Sequence, residues 1–255
     1  MASDQRPQPL DLRELRAALA EGRRHFPGLR LGDLDGVDLD LSDCDLGGSC
    51  FKEARFGRAS LRQANLESCG FQQALLWGAD LSGAQAKLSF WHGADLSGSR
   101  LQGADFSGAL LHRTCLRGVV AAGSHWREAR LVEADFRSGL DQLTDLGGAD
   151  FQGADLSFAL LQGAQLPGAD LRGACLYGTD LRNADLRQAD LRGCDLGDCE
   201  LDGCWMEGGS PDLGHWASGH SAPGAIRSRQ ACSAPACSKA ACSMEARWGA
   251  SAETC

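Results

Sequence analysis

Only one tyrosine occurs among the 255 residues, and no run approaches the roughly 20 apolar residues that crossing a bilayer requires. The opening MASDQRPQPL lacks the basic region and apolar core of a secretory signal, so the chain is expected to be soluble, unexported and cytoplasmic. Cations are also in short supply. There are 25 Lys and Arg against 34 Asp and Glu, a formal charge of −9. This argues against direct nucleic-acid binding, which needs clustered basic residues to displace counterions from phosphates. An acidic surface shown to a protein partner fits better. No nucleophile elbow, phosphate loop or zinc-hydrolase motif is present. The expectation is a protein that is not an enzyme and uses no metal or cofactor.

What is abundant is glycine, with 33 copies, and a period of five. Every fifth residue from Leu41 to Met206 gives 34 positions, of which 22 are Leu and six are Phe. Trp91, Trp126 and Met206 are also apolar, and only Ala86, Ala121 and Asp141 depart. Two residues before each lies a second series, Cys44 to Cys204, made almost wholly of Ala, Cys, Ser and Thr. A large and a small residue two apart, with a polar one between them, is the in-out-in pattern of a very short strand. The remaining two residues must turn, and 17 of the positions in the series Gly48 to Gly203 are glycine. A helix cannot explain this, because 3.6 residues per turn would spread the leucines around the whole cylinder.

The stretches Gly78-Ala79-Asp80-Leu81-Ser82, Gly93-Ala94-Asp95-Leu96-Ser97 and Asn183-Ala184-Asp185-Leu186-Arg187 resemble the pentapeptide-repeat family, whose consensus is A(D/N)LXX. The resemblance implies an all-β solenoid, a right-handed quadrilateral β-helix with 20 residues per coil and Leu or Phe stacked inside, as in a core ladder Leu156, Leu176, Leu196. At ~4.8 Å per coil, roughly eight coils make a rod on the order of 40 Å long. Its interior is filled, leaving no substrate pocket.

Four segments follow. Residues 1–10 are expected to be a disordered start, 11–40 an N-terminal cap helix and lead-in coil, 41–206 the repeats, and 207–255 a low-complexity, disordered tail. Asp11 to Phe26 has the spacing of an amphipathic helix, with Leu12, Leu15 and Leu19 on one face and Asp11 with Glu14 as a capping box. With Gly22-Arg23-Arg24-His25-Phe26 it resembles the start of cyanobacterial family members that suppress heterocyst formation. Pro27 to Asp40 is read as out of phase, since Leu34 and Leu39 miss the Leu41 series. Asp141 is expected on a bulge, because a carboxylate in an apolar core is costly.

Cys194, Cys199 and Cys204 have metal-like spacing but lie in the small inward series with Cys44 and Cys69, so they are read as space-filling thiols. Cys232, Cys237, Cys242 and Cys255 in the tail are read as uncommitted thiols. His92 and His112, 20 apart, should stack on an outer face. Two outer surfaces stand as candidates for binding a protein partner. Asp150, Asp170 and Asp190 form an acidic column, and Asp105, Asp145 and Asp185 a second one. Val120, Leu140 and Leu160 form an apolar ladder with Leu143 and Phe158 nearby, and exposed apolar patches mark interfaces. The preferred reading is a non-catalytic interaction rod. Two alternatives stay open. The family includes DNA mimics that bind type II topoisomerase (gyrase) and give quinolone-type protection, and a self-associating rod would form a homodimer through the C-terminal coil at Trp205 and Met206. Against mimicry, Arg172, Arg182, Arg187 and Arg192 each follow an Asp by two residues and could neutralise it.

Overall fold

The computed structural model describes residues 11–139 and 141–208. One pentad, Asp170 to Ala174, shows why the chain coils. Asp170 N–H donates to the Ala149 carbonyl of the coil before (2.9 Å), and Leu171 N–H to the Asp190 carbonyl of the coil after (2.8 Å). Gly173 N–H likewise reaches Arg192 (3.0 Å), and Ala174 N–H turns back to Leu171 (3.0 Å). The one amide left over, Arg172 N–H, donates to the Asp170 carboxylate at 3.1 Å. All five backbone donors are satisfied, as burial against neighbouring coils demands. The consensus Asp is thus first of all a turn residue. Its carboxylate accepts from the residue two positions on at Asp40, Asp80, Asp95, Asp105, Asp145, Asp155 and Asp195 as well.

Parallel bridges join each outward residue to one on the next coil, mostly 20 positions on, so four ladders run along the molecule. The first face carries His25, Asp45, Asn65, Gln85, Asp105, His125, Asp150, Asp170 and Asp190, and the second runs from Arg30 to Asp195. The third runs from Asp35 to Glu200 and the fourth from Asp40 to Trp205. Between faces, the corner residue before each small one takes a left-handed φ, for example Gly173 at 66°. This is the physical reason for the glycine series.

The inward residues make one continuous core. Leu156, Leu176 and Leu196 stack on successive coils, each buried. Aromatic rings stack likewise, Phe71 on Trp91 at 4.2 Å and Phe106 on Trp126 at 4.5 Å. The indole N–H of each Trp donates to a buried serine two residues earlier, Ser89 and Ser124, at 2.6 Å. Ala86 and Ala121, the small residues in the large series, each come five positions before one of these tryptophans. Close packing leaves room for only one bulky neighbour.

Three expectations need correction. The helix α1 is Leu12–Ala20 and does not extend to Phe26. Gly22 (φ 79°) closes it: Gly22 N–H donates to Leu19 O and Arg23 N–H to Ala18 O, a Schellman end. At the other end Asp11 accepts from Glu14 N at 2.8 Å, and Leu15 is buried in the core. Next, the lead-in coil is in phase, since His25 already pairs with Asp45. Leu29, Leu34 and Leu39 occupy the position that later holds Ala, and Gly36 replaces the large residue, with the Phe56 ring lying where its side chain would be. Finally, pairing is not at 20 residues throughout. Val120 pairs with Asp145, His125 with Asp150, Arg130 with Asp155 and Asp135 with Leu160, each 25 apart. One whole pentad is therefore extruded between Phe136 and Thr144, and Asp141 lies in it, exposed.

Candidate interaction surface

The extruded pentad dissolves the expected apolar ladder. Val120 lies on the fourth face between Arg100 and Asp145, whereas Leu160 lies on the third between Asp135 and Asp180. Leu140 falls outside the described residues. The second acidic column fails for the same reason, because Asp105 belongs to the first face while Asp145 and Asp185 flank Gln165 on the fourth.

A different apolar surface forms on the third face. The loop that contains the extruded pentad stands at its border with the fourth face. The loop is closed by Gly139 N–H to Gln142 O (2.7 Å) and pinned by Thr144 Oγ1, which accepts from Gly118 N (2.9 Å) and donates to Arg137 O (3.0 Å). It leaves Leu143 61% exposed. Leu160 is half-buried on the face itself. At the border with the second face are Phe158, 52% exposed, and Tyr177, 38% exposed, their rings edge to face at 5.5 Å. Phe158 holds φ at 58° and its ring lies over Gly178, while Tyr177 lies over Gly197. Among the described residues only Leu88 and Phe158 are apolar side chains at a left-handed corner. Tyr177 was missed from the sequence. The usable signal was its place at a corner one coil beyond Phe158.

The column Asp150, Asp170, Asp190 does form, on the first face and so opposite this patch. Its charge is matched. Arg172 holds Asp170 through Nε (2.8 Å) and Nη2 (2.6 Å), Arg192 holds Asp190 the same way, and Arg127 reaches Asp150 at 2.5 Å. Hydrogen bonding from Arg172 and Arg192 keeps Asp170 and Asp190 below the usual carboxylate range.

The inward cysteines behave as hydroxyl substitutes. The thiols of Cys69, Cys194, Cys199 and Cys204 donate to carbonyls 23 residues earlier (Leu46, Leu171, Leu176, Leu181) at 2.6–3.0 Å. Ser99 and Thr179 make the same bond. Burial pushes Cys194, Cys199 and Cys204 up to about 12, far from the thiolate a metal needs. No group of three or more His, Cys, Asp or Glu among the described residues is placed to hold a metal ion. His92 and His112 stack at 5.3 Å. Cys232, Cys237, Cys242 and Cys255 lie outside the described residues. No helix among those residues is long and apolar enough to cross a membrane.

The family description "Pentapeptide repeats" matches in eight copies, over residues 40–78, 78–118, 149–188 and 176–208. The crystal structure of HetL, a pentapeptide repeat protein involved in heterocyst differentiation regulation from the cyanobacterium Nostoc sp. strain PCC 7120, is 28% identical. It covers 80% of this chain and 96% of its own, with a TM-score of 0.66. A trypsin-treated form of QnrB1, a plasmid-mediated fluoroquinolone resistance protein, is 24% identical over 70% of this chain and 82% of its own, with a TM-score of 0.38. No protein of curated function matches in sequence.

Proposed function

Because this chain belongs to the pentapeptide-repeat family, whose coils fill their own interior, we propose that it acts without catalysis, as a rod that docks a protein partner on its third face. The observation that carries this reading is the pairing of two departures from the repeat on one face: an extruded pentad with exposed Leu143, and an exposed Phe158–Tyr177 pair in which Phe158 holds a left-handed corner. Both cost stability that a purely structural rod would not need to give up. Aromatic anchors beside a raised rim are what interface hot spots are built from. With this reading go a right-handed, four-sided β-helix of about nine coils, one more than the eight expected because the lead-in coil from His25 is in phase, α1 as the lid on its N-terminal end, and a cytoplasmic site of action.

DNA mimicry is the weaker reading, since a phosphate-like track needs unpaired negative charge and the first-face column is bound by guanidinium groups. The test is affinity capture with the full chain, comparing the wild type with Leu143→Asp/Phe158→Asp and with Asp150→Asn/Asp170→Asn/Asp190→Asn. A partner lost at least tenfold by the first variant and kept by the second supports third-face docking. Retention by the first variant sinks it. Gyrase supercoiling run in parallel should be unaffected; inhibition relieved by the triple Asp variant would move the function to topoisomerase binding.

A further inference from the structure

Charge is spread unevenly along the rod. Residues 141–208 carry 13 acidic and four basic side chains, whereas residues 11–139 carry 17 and 16. The patch of Leu143, Phe158 and Tyr177 lies in the acidic stretch, so whatever docks there meets one dominant sign. On the third face and its borders the guanidinium groups are already committed: Arg117 and Arg137 pair with Asp135, Arg182 with Asp180 and Glu200, and Arg113 with Glu133. Asp155, three residues before Phe158, is in a different position. Its Oδ1 accepts from Ser157 N–H (3.1 Å) and Ser157 Oγ (2.6 Å), and among the described residues it forms no ion pair, not even with Arg130 one step below it on the second-face ladder. The Tyr177 hydroxyl donates to the Asp198 carboxylate. Asp141, two residues before Leu143, is exposed. Each exposed side chain of the patch thus has a carboxylate beside it.

The rings supply an independent observation. Two tryptophans at the surface are covered by guanidinium groups of the chain itself, Arg58 over Trp77 at 5.2 Å and Arg187 over Trp205 at 5.3 Å. Phe158 and Tyr177 pack only on each other, and no cation among the described residues lies over either ring. Aromatic rings attract cations through their quadrupole, and neighbouring carboxylates add to that attraction. An anion placed there is repelled by both.

We propose that the partner offers a cationic apolar segment: an Arg or Lys side chain lies over the Phe158–Tyr177 pair between Asp155 and Asp198, and a neighbouring apolar side chain packs on Leu143 and Leu160. This inference rests on third-face docking and names what that face selects. The carboxylates steer the segment in, and the apolar contact retains it. A segment of equal hydrophobicity carrying Glu would face Asp141, Asp155 and Asp198, which is discrimination by repulsion.

The test measures fluorescence anisotropy with the full chain and two labelled probes, an amphipathic peptide of leucine and arginine and the same peptide with glutamate for arginine. The arginine peptide should bind at least tenfold more tightly. Asp155→Asn/Asp198→Asn removes two charges while keeping the Oδ1 acceptors, and Phe158→Ser places at the corner a residue that already takes a left-handed φ at Ser68 (57°). Each should weaken the arginine peptide at least fivefold, whereas Asp150→Asn/Asp170→Asn/Asp190→Asn, on the opposite face, should change it less than twofold. Equal binding of the glutamate peptide, lost with Phe158→Ser, would overturn the cationic assignment and leave third-face docking standing. Arginine-peptide binding that ignores Phe158→Ser and falls with the triple variant would move the contact to the first face and overturn both. Failure of both peptides to bind would overturn the cationic assignment, with docking itself still decided by capture with Leu143→Asp/Phe158→Asp.

Discussion

At the residue scale, the inward cysteines show how one small position accepts several chemistries. Cys194, Cys199 and Cys204 donate to the same carbonyls that Ser and Thr reach elsewhere, and burial holds them protonated up to about 12. At pH 8 roughly one such thiol in ten thousand is ionised. Iodoacetamide labelling followed by mass spectrometry should therefore leave these three unmodified in the native protein and modify them in denaturant; native labelling would show that the coils open. Phe158 is the opposite case, a bulky side chain at a corner suited to glycine. Phe158→Gly should raise stability by about 1 kcal/mol through relief of the left-handed conformation. It should also weaken partner capture at least tenfold. A denaturation curve and a binding assay on one protein sample check both halves.

At the element scale, the corner and the loop carry separate predictions. Asp170, Asp185 and Asp190 are held below the ordinary 3.8 first of all by hydrogen bonds from Arg172, Arg187 and Arg192. A carboxylate depressed in the folded state contributes stability above its unfolded value and loses it as pH falls through the folded one. The melting temperature should hold above pH 3.8 and drop below it, and Asp185→Asn should flatten that drop. Deleting residues 138–142 leaves Phe136-Arg137-Leu143-Thr144-Asp145, a regular pentad. The shortened chain should melt at or above the wild-type temperature with its partner contact gone, whereas deleting four residues there should unfold the coils beyond. This contrast explains what the sequence could reveal. A count by fives exposes the inward series, the corners and the core, because each repeats in every pentad. A loop of five residues leaves that count unchanged while shifting each pairing across it from 20 to 25, so Val120 and Leu160 looked aligned and are not. The end of α1 was hidden differently: Leu12, Leu15 and Leu19 marked the helix, but Gly22 ended it through backbone geometry that the apolar spacing does not express.

At the scale of the whole molecule, the apolar patch and the acidic column sit on opposite faces, so one flat partner surface cannot read both. Which residues meet on which face is decided at a single place. If the pentad Ser138 to Gln142 were wound into the coil, Gly139 would take a small position and Asp141 a large one. Every residue beyond would turn by a quarter revolution relative to those below. The carboxylate objects most, because a charge sealed among leucines costs several kcal/mol. Asp141→Leu should remove that objection and yield two conformers, distinguishable by whether a disulfide forms between cysteines placed at 120 and 145 or at 120 and 140. The rod would in this sense be a dial with one detent: two conformers of that variant would show one core carrying two rotational settings of its outer surface, with Asp141 holding the setting that puts Leu160 beside Asp135.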